Sequence, residues 1–145
     1  MSEKNEAVVR RMFQEVWNDR KLDAIERFFA TDYMNHDPVN PTTGLEAYRN
    51  VVKTYHTAFP DCRIDIDDLC SASDQVIVRW RYSGTQHGPL EGLAATGRHA
   101  TGTGISICRF QGEKIREAFV NWDALGLMQQ LGVVTLPGKA AAAGA

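Results

Sequence analysis

The stretch that decides the fold runs from Pro60 to Gly84 and reads PDCRIDIDDLCSASDQVIVRWRYSG. Apolar residues occupy every second position from Cys62 to Ile66, and again from Val76 to Tyr82. An alternation of period two is typical of strands that bury one face. Residues 71–74, Ser-Ala-Ser-Asp, predict the turn that joins the two strands. The stretch therefore predicts an antiparallel hairpin with one face in the core and one in water.

Upstream of the hairpin, apolar residues recur at helical spacing. They predict a first helix over residues 3–18 and a second over Leu22–Phe29. A third helix is predicted to end before Pro60, and Thr43 with Glu46 three residues later has the pattern of a capping box. We therefore expect Thr43 to cap the third helix.

Between the second and third helices, residues 33–37 lead to Pro38. Proline disfavours helix at the residue before it, so this segment is predicted to be extended or a loop. Downstream of the hairpin, residues 98–110 and 114–122 predict two strands around the glycine-bearing turn 111–113. Asp123 is placed to cap a short helix over residues 124–131, and Gly132 is placed to end it.

Helices followed by long strands indicate an α+β fold. We expect a cone-shaped barrel in which three N-terminal helices pack on a curved, mainly antiparallel sheet of four to six strands, leaving a pocket inside. Residues 1–134 are predicted to form a single domain. Residues 135–145 carry no packing signal and predict a flexible tail.

The composition excludes several classes of protein. The chain has 145 residues, 43% of them hydrophobic, with 16 Lys and Arg against 18 Asp and Glu. That balance argues against nucleic acid as a partner, because nucleic-acid-binding proteins usually carry a basic stripe. No segment approaches the roughly 20 apolar residues of a membrane span, and the N-terminus lacks the apolar region of a signal peptide. We expect a small-molecule partner and no membrane partner.

The three cysteines, Cys62, Cys70 and Cys108, fit neither a disulfide framework nor a zinc site. Cys62 and Cys70 share one predicted strand, where they would stand about 26 Å apart at about 3.3 Å per residue. That separation is beyond the reach of a disulfide. Free thiols and a cytoplasmic location are therefore expected.

Common cofactor and nucleophile motifs do not occur in the chain. The four histidines never occur as HxxxH, HExxH or HxH, and there is neither a GK[ST] phosphate loop nor a GxSxG elbow. The glycines of Gly102-Thr103-Gly104 lie inside a strand pattern, which indicates a bulge or a close strand contact. We expect no metal site.

Asn35, His36 and Asp37 are the first group of residues that could carry chemistry. In one interpretation they form a turn whose side chains bond nearby backbone. In the other, Asn35 is an amide donor to a carbonyl oxygen and His36 is an acid–base group, since an ordinary histidine pKa of about 6.5 suits proton transfer. His87 opens a loop that runs to Gly97, where it is either exposed or part of the pocket.

Asp123 also has two interpretations. As a helix cap its carboxylate would accept backbone N–H groups, which disfavours the protonated form and makes a poor general base. As a catalytic group it would take a proton from the substrate. Similarly, five aromatic residues either pack in the core or line a pocket: Trp17, Tyr55, Trp80, Phe119 and Trp122. Arg79 and Arg81 are expected to pair with Asp65 and Asp67 across the hairpin, or else to bind an anionic substrate.

Several short motifs carry a family resemblance, and each is weak alone. They are Tyr33-Met34-Asn35-His36-Asp37-Pro38, Ala58-Phe59-Pro60-Asp61, Val78-Arg79-Trp80 with Ser83-Gly84-Thr85-Gln86-His87-Gly88, Thr96-Gly97-Arg98, Arg109-Phe110-x-Gly112-x-Lys114-Ile115, and Trp122-Asp123 leading to Gln130-Leu131-Gly132. In this order and spacing the chain resembles the SnoaL-like polyketide cyclase family, also called ester cyclases. That family lies in the nuclear-transport-factor-two-like superfamily of cone-shaped α+β barrels.

The resemblance implies ring closure of aromatic polyketides by intramolecular aldol condensation, without metal or organic cofactor. Such chemistry needs a base and a carbonyl donor in a dry pocket. By the family pattern an Asp would fall at Val120 and a His near Ser106, yet neither residue present transfers a proton at neutral pH. Asn35 is the one pocket residue carried over unchanged. Where the pattern has His after Gly-Thr, this chain has Gln86 followed by His87.

We therefore expect a cofactor-independent cyclase or isomerase that acts by acid–base chemistry on a polyketide-like ester or carbonyl compound in an apolar pocket. The candidate catalytic residues are Asn35, His36, His87 and Asp123. The expected substrate-pocket residues are Trp17, Tyr55, Trp80, Ser106, Val120 and Trp122. The alternatives are a non-catalytic binding protein for a small hydrophobic metabolite, or a related hydrolase, dehydratase or hydroxylase on the same fold. An uncovered sheet face also predicts a homodimer.

Overall fold

The hairpin that the alternation predicts is present as β3 (Arg63–Ala72) and β4 (Gln75–Thr85) in a computed structural model that describes residues 2–138. Within those residues the remaining strands are β1 (Phe29–His36), β2 (Thr42–Thr43), β5 (His99–Gln111) and β6 (Lys114–Trp122). The α-helices are α1 (Ser2–Met12), α2 (Ile25–Phe28), α3 (Leu45–Ala58) and α4 (Ala124–Gln130). Residues 139–145 of the expected tail lie outside the described residues.

The six strands form one sheet in the order β2-β1-β6-β5-β4-β3. Strands β3 to β6 are an antiparallel meander, β1 joins β6 in parallel, and β2 pairs antiparallel with β1. The helices α1 and α3 pack on the inner face of this sheet. The predicted α+β fold, with three N-terminal helices on a mainly antiparallel sheet, is confirmed.

The first helix ends differently from the prediction. Residues 2–12 are α-helical, but Phe13–Asn18 form a wider π-helical turn. The tertiary contact at its end explains the difference, because the Asn18 side chain bonds the Ile64 backbone in both directions. Its Nδ2 donates to the Ile64 carbonyl at 2.8 Å, and its Oδ1 accepts from the Ile64 N–H at 2.7 Å. This bond pair holds the widened turn against β3.

The prediction that Thr43 caps α3 is wrong. Thr43 belongs to β2 and pairs with Met34, and the residue at the helix N-terminus is Gly44, which makes no side-chain bond. Gly44 has φ +90° and ψ 159°, a conformation that only glycine adopts readily. The chain must turn sharply from β2 into the helix, so backbone geometry rather than a side-chain cap decides the start of α3. Glu46 pairs with Arg49 instead of closing a capping box.

The hairpin alternation predicts its two faces correctly. Val76, Val78 and Trp80 are buried in the core. On the outer face, Arg81 Nε lies 2.7 Å from Asp67, and Arg79 also pairs with Asp67 at 3.6 Å. These arginines therefore form pairs across the hairpin, as the first of the two interpretations expected.

The loop between β4 and β5 is ordered around one buried amide. Gln86 is completely buried; its Nε2 donates to the carbonyls of Gly88 and Ala94, and its Oε1 accepts from the Thr96 hydroxyl at 2.7 Å. Leu90, a residue of this loop, is buried in a second apolar cluster. The prediction of an ordered loop rather than a helix is therefore confirmed.

Cys62, Cys70 and Cys108 are all free thiols. Among residues 2–138, no helix is both long enough and apolar enough to cross a bilayer.

Candidate active site

A cavity of about 130 Å³ lies between the helices and the inner face of the sheet. Its wall is mostly aromatic and apolar, as expected for a pocket inside the predicted cone-shaped barrel. All six expected pocket residues line it: Trp17, Tyr55, Trp80, Ser106, Val120 and Trp122. The other polar residues of the wall are Asn35, Asp37, Asn40 and Ser83, together with the phenols of Tyr33, Tyr48 and Tyr82.

Strand alternation divides the residues around Asn35 between the two faces of the sheet. Asn35 points inward, is only 5% exposed and lines the cavity. Its Oδ1 accepts a hydrogen bond from the Tyr33 hydroxyl at 2.9 Å. His36 points outward, where its ring stacks on Phe119 with 4.6 Å between centroids and its Nε2 lies 2.7 Å from Glu117 Oε2. The structure therefore keeps Asn35 in the candidate site and places His36 and Phe119 outside it.

Asp37 returns to the inner side and lines the cavity, which the sequence reasoning missed. Both of its carboxylate oxygens lie 3.1 Å from the indole N–H of Trp122. Oδ1 also accepts the backbone N–H groups of Val39 and Asn40, at 2.8 and 3.2 Å. Asp37 thus forms the expected turn and also presents a carboxylate to the cavity. The inward period Tyr33, Asn35, Asp37 is the sequence signal that could have revealed it.

Two tyrosines stand beside Trp122 on the cavity wall. The rings of Tyr55 and Tyr82 meet the Trp122 ring edge-on, at centroid distances of 6.2 and 6.1 Å. Asn40 Nδ2 donates to the Tyr55 hydroxyl oxygen at 3.1 Å, so the Tyr55 proton is free to be donated elsewhere. Burial raises the pKa of Tyr55, which the Asn40 bond partly offsets, and the Asp37 carboxylate raises it further. Asp37 and both phenols are thus gathered around one indole.

His87 and Asp123 do not line the cavity. His87 is exposed at the start of the loop after β4. Asp123 is exposed as well and caps α4, with its Oδ1 accepting the Gly126 N–H at 2.8 Å. The predicted cap is therefore confirmed, and Gly132 ends this region with φ +83°. A catalytic role for His87 or Asp123 stays a prediction.

The cavity thiols are poor nucleophiles. Burial raises the pKa of Cys108 to about 12, and burial also raises the pKa of Cys62. Both side chains are consequently protonated at neutral pH, whereas the thiolate is the reactive form. Among residues 2–138, no three His, Cys, Asp or Glu side chains lie close enough together to share a metal ion.

Comparison with known proteins places this geometry in a family. The family description "SnoaL-like polyketide cyclase" matches residues 7–131. The chain belongs to the SnoaL-like polyketide cyclase family. It is 32% identical over 133 residues to the aklanonic acid methyl ester cyclase DauD of Streptomyces sp. (strain C5), covering 86% of this chain and 80% of that protein. The same identity holds for the aklanonic acid methyl ester cyclase DnrD of Streptomyces peucetius, covering 86% and 88%.

A solved structure, that of TsrD from Streptomyces laurentii, shares the SnoaL-like fold with a TM-score of 0.82. It is 23% identical and covers 91% of this chain and 97% of its own, so it supports the fold alone.

The two positions at which the resemblance implied acid–base residues do meet in the cavity. Ser106 and Val120 are direct partners across β5 and β6, and both line the wall. The Ser106 hydroxyl accepts the Trp80 indole N–H at 3.0 Å. Trp122 lies two residues beyond Val120 on the same strand face and holds Asp37. In this SnoaL-like chain a carboxylate therefore reaches this part of the wall from the end of β1 rather than from β6.

Proposed function

We propose that this chain is a cofactor-independent cyclase or isomerase that transfers protons on an apolar, polyketide-like ester or carbonyl compound. The observation that carries the proposal is the Asp37 carboxylate, the one acidic side chain on the cavity wall among residues 2–138, held by Trp122 in aromatic surroundings. A carboxylate that keeps one oxygen with few hydrogen bonds can act as a base toward a carbon acid beside a carbonyl. An engineered cavity of about 150 Å³ binds benzene, so a pocket of about 130 Å³ has room for one ring of a substrate.

The two oxygens of the Asp37 carboxylate differ in how many hydrogen bonds they accept, which indicates the oxygen that would take the proton. Oδ1 accepts three N–H groups, whereas Oδ2 accepts only the Trp122 N–H among the described residues. Oδ2 would take the proton from the carbon beside the substrate carbonyl, and the C–H electron pair would move into an enolate with its charge on the carbonyl oxygen. In an isomerisation, a conjugated enolate regains the proton from Asp37 at a different carbon. In a cyclisation, the enolate carbon attacks a second carbonyl and forms the new C–C bond. In the second case the new alkoxide takes the proton back from Asp37.

One observation favours a second candidate, a non-catalytic binding protein. Val120 and Ser106 occupy the positions where the resemblance implies acid–base groups, and neither side chain transfers a proton at neutral pH. In this alternative the aromatic wall binds a small hydrophobic compound, and Asp37 serves only in its turn and its bond to Trp122.

Deuterium exchange separates the two candidates without knowledge of the natural substrate. Methyl benzoylacetate, which carries one ring and an acidic C–H between two carbonyls, is incubated in D2O, and NMR follows the exchange rate above buffer. We expect wild type to accelerate exchange and Asp37→Asn to lose about 10²- to 10⁴-fold of that acceleration while still binding the ester. Asp32→Asn is the matched control, because Asp32 is an exposed carboxylate on β1, the strand that leads to Asp37, and pairs with Arg116.

Each outcome bears on one candidate. Unchanged exchange in Asp37→Asn would remove Asp37 as the base. Binding of the ester by wild type without any acceleration would favour the binding protein.

We further propose that the chain forms a homodimer through the outer face of its sheet. Strand register places Ile77, Ile107 and Phe119 in one row across β4, β5 and β6, with Ile105 beside them. Ile105 is 49% exposed and Phe119 is 40% exposed. An apolar stripe on an uncovered sheet face favours burial against a second copy.

Sedimentation at micromolar concentration tests the dimer. We expect Ile105→Lys and Phe119→Lys to shift the protein toward monomer, because each places a charge in the apolar row. Val133→Lys is the control, since Val133 is also an exposed apolar residue, 44% exposed, but follows α4 and belongs to no strand. A wild-type monomer would refute the proposal.

The three free thiols favour a reducing compartment, and we propose the cytoplasm.

A further inference from the structure

Tyr82 lines the cavity, and its hydroxyl is a buried polar group that makes no hydrogen bond to any of residues 2–138. Buried hydroxyl groups in native proteins are nearly always bonded, so an exception calls for a reason. The neighbouring Trp80 shows the contrast, because its N–H on the same face of β4 is bonded to Ser106 at 3.0 Å. The bonding capacity of the Tyr82 hydroxyl is therefore unused among the described residues.

Gly102, on the strand opposite Tyr82, leaves room for the phenol in this position. Tyr82 faces Gly102 across β4 and β5, and a Cβ at Gly102 would lie 2.4 Å from the Tyr82 hydroxyl oxygen. Any larger residue would force the ring to move. Glycine in the middle of a strand weakens it, so this close approach explains why the strand tolerates one. The predicted close strand contact at Gly102 is thus confirmed.

The surroundings of Tyr82 keep the phenol protonated. Burial raises its pKa, and the nearby Asp123 and Tyr55 raise it further. A neutral phenol has one proton to donate. Its ring also contacts Trp122, whose indole N–H holds the Asp37 carboxylate. Tyr82 and the proposed base Asp37 thus both contact Trp122.

We propose that the Tyr82 hydroxyl donates a hydrogen bond to the carbonyl oxygen of the bound substrate. This inference rests on the proposed function, since it assigns Tyr82 to the oxygen that becomes negative when Asp37 removes the neighbouring proton. A donor aimed at such an oxygen stabilises the transition state more than the ground state. Tyr82 would accordingly contribute more to the rate of proton removal than to binding.

The test uses two ligands of nearly the same shape, acetophenone labelled with ¹³C at its carbonyl and α-methylstyrene, which has a CH2 group in place of the oxygen. Wild type is expected to bind acetophenone more tightly and to move its carbonyl ¹³C resonance downfield. In Tyr82→Phe we expect the downfield shift to disappear and acetophenone to bind about tenfold more weakly, with α-methylstyrene unaffected. Exchange of methyl benzoylacetate should fall about 10²- to 10³-fold.

Thermal unfolding separates this role from a structural one. Tyr82→Phe should keep the wild-type Tm, because its hydroxyl bonds to none of the described residues. Tyr33→Phe, which loses the 2.9 Å bond to Asn35, should lower the Tm and so shows that the assay detects a lost phenol bond.

The remaining outcomes separate the two proposals. A carbonyl resonance that shifts equally in wild type and Tyr82→Phe would overturn the Tyr82 inference alone. Failure of wild type to bind either ligand would count against the cavity and therefore against both proposals.

Discussion

Replacing Trp122 with phenylalanine keeps an aromatic ring but removes the N–H group that holds the Asp37 carboxylate. In the structure this N–H lies 3.1 Å from both oxygens of Asp37. Hydrogen bonds to charged groups contribute about 1.5–3 kcal/mol to stability. Since about 1 kcal/mol corresponds to roughly 2–4 °C in a domain of this size, we expect the Tm of Trp122→Phe to fall by roughly 3–12 °C.

Phenylalanine is also smaller than tryptophan, so part of this loss would come from packing against Tyr55 and Tyr82. A double-mutant cycle removes that contribution, because it appears in both legs of the cycle. The cycle comprises wild type, Trp122→Phe, Asp37→Ala and the double variant, each unfolded in urea. The expected coupling free energy is about 1.5–3 kcal/mol.

A coupling below about 0.5 kcal/mol would refute the reasoning, since values of that size are found for residues that do not interact. Asp37 would then be held by its own turn, through Val39 and Asn40, and Trp122 would be only a wall of the cavity.

Three further predictions concern stability. Asp123→Ala should lower the free energy of unfolding in urea by about 1 kcal/mol through loss of the α4 cap, whereas Asp123→Asn should lower it by much less; equal losses would contradict the cap. Gly44→Ala should cost about 1–3 kcal/mol, because alanine resists φ +90° and ψ 159°, while Thr43→Ala should cost less than about 0.5 kcal/mol in the same assay. Burial, with the charge of Arg20, lowers the pKa of His56. As pH falls, His56 is therefore protonated at a higher pH in the unfolded chain than in the folded chain, so stability should fall below about pH 6.5. The Tm of His56→Gln should depend less on pH over that range.

Residues whose role depends on chain neighbours were predicted well. Asp123 accepts a backbone N–H only three residues away, and α3 stops two residues before Pro60. The Thr43 prediction failed because the capping-box pattern competed with the pairing of Thr43 and Met34, which lie nine residues apart. The π-helical end of the first helix depends on Asn18 and Ile64, which are 46 residues apart.

For the candidate site, too, the sequence placed some residues and not others. The six expected pocket residues line the cavity, since alternation turns Trp80, Val120 and Trp122 to the inner face of the sheet. Their role in binding a substrate stays a prediction. The functional interpretation of His36 was not supported, since the alternation that turns Asn35 inward turns His36 outward onto Phe119. That interpretation treated the residues as one group, although neighbours on a strand face opposite sides.

The sequence by itself determined the α+β class, the hairpin faces and the aromatic character of the cavity, since each depends on periodicity or on residue type. Its short motifs carried the resemblance that implied the family. Only the tertiary structure brought Asp37 to Trp122, which is 85 residues further along the chain, and only it placed the Tyr82 hydroxyl over Gly102 without a partner. The physical reason is that β1 joins the sheet in parallel beside β6, a long-range pairing that local pattern does not specify. That pairing carries the end of β1, and with it a carboxylate, to the cavity wall.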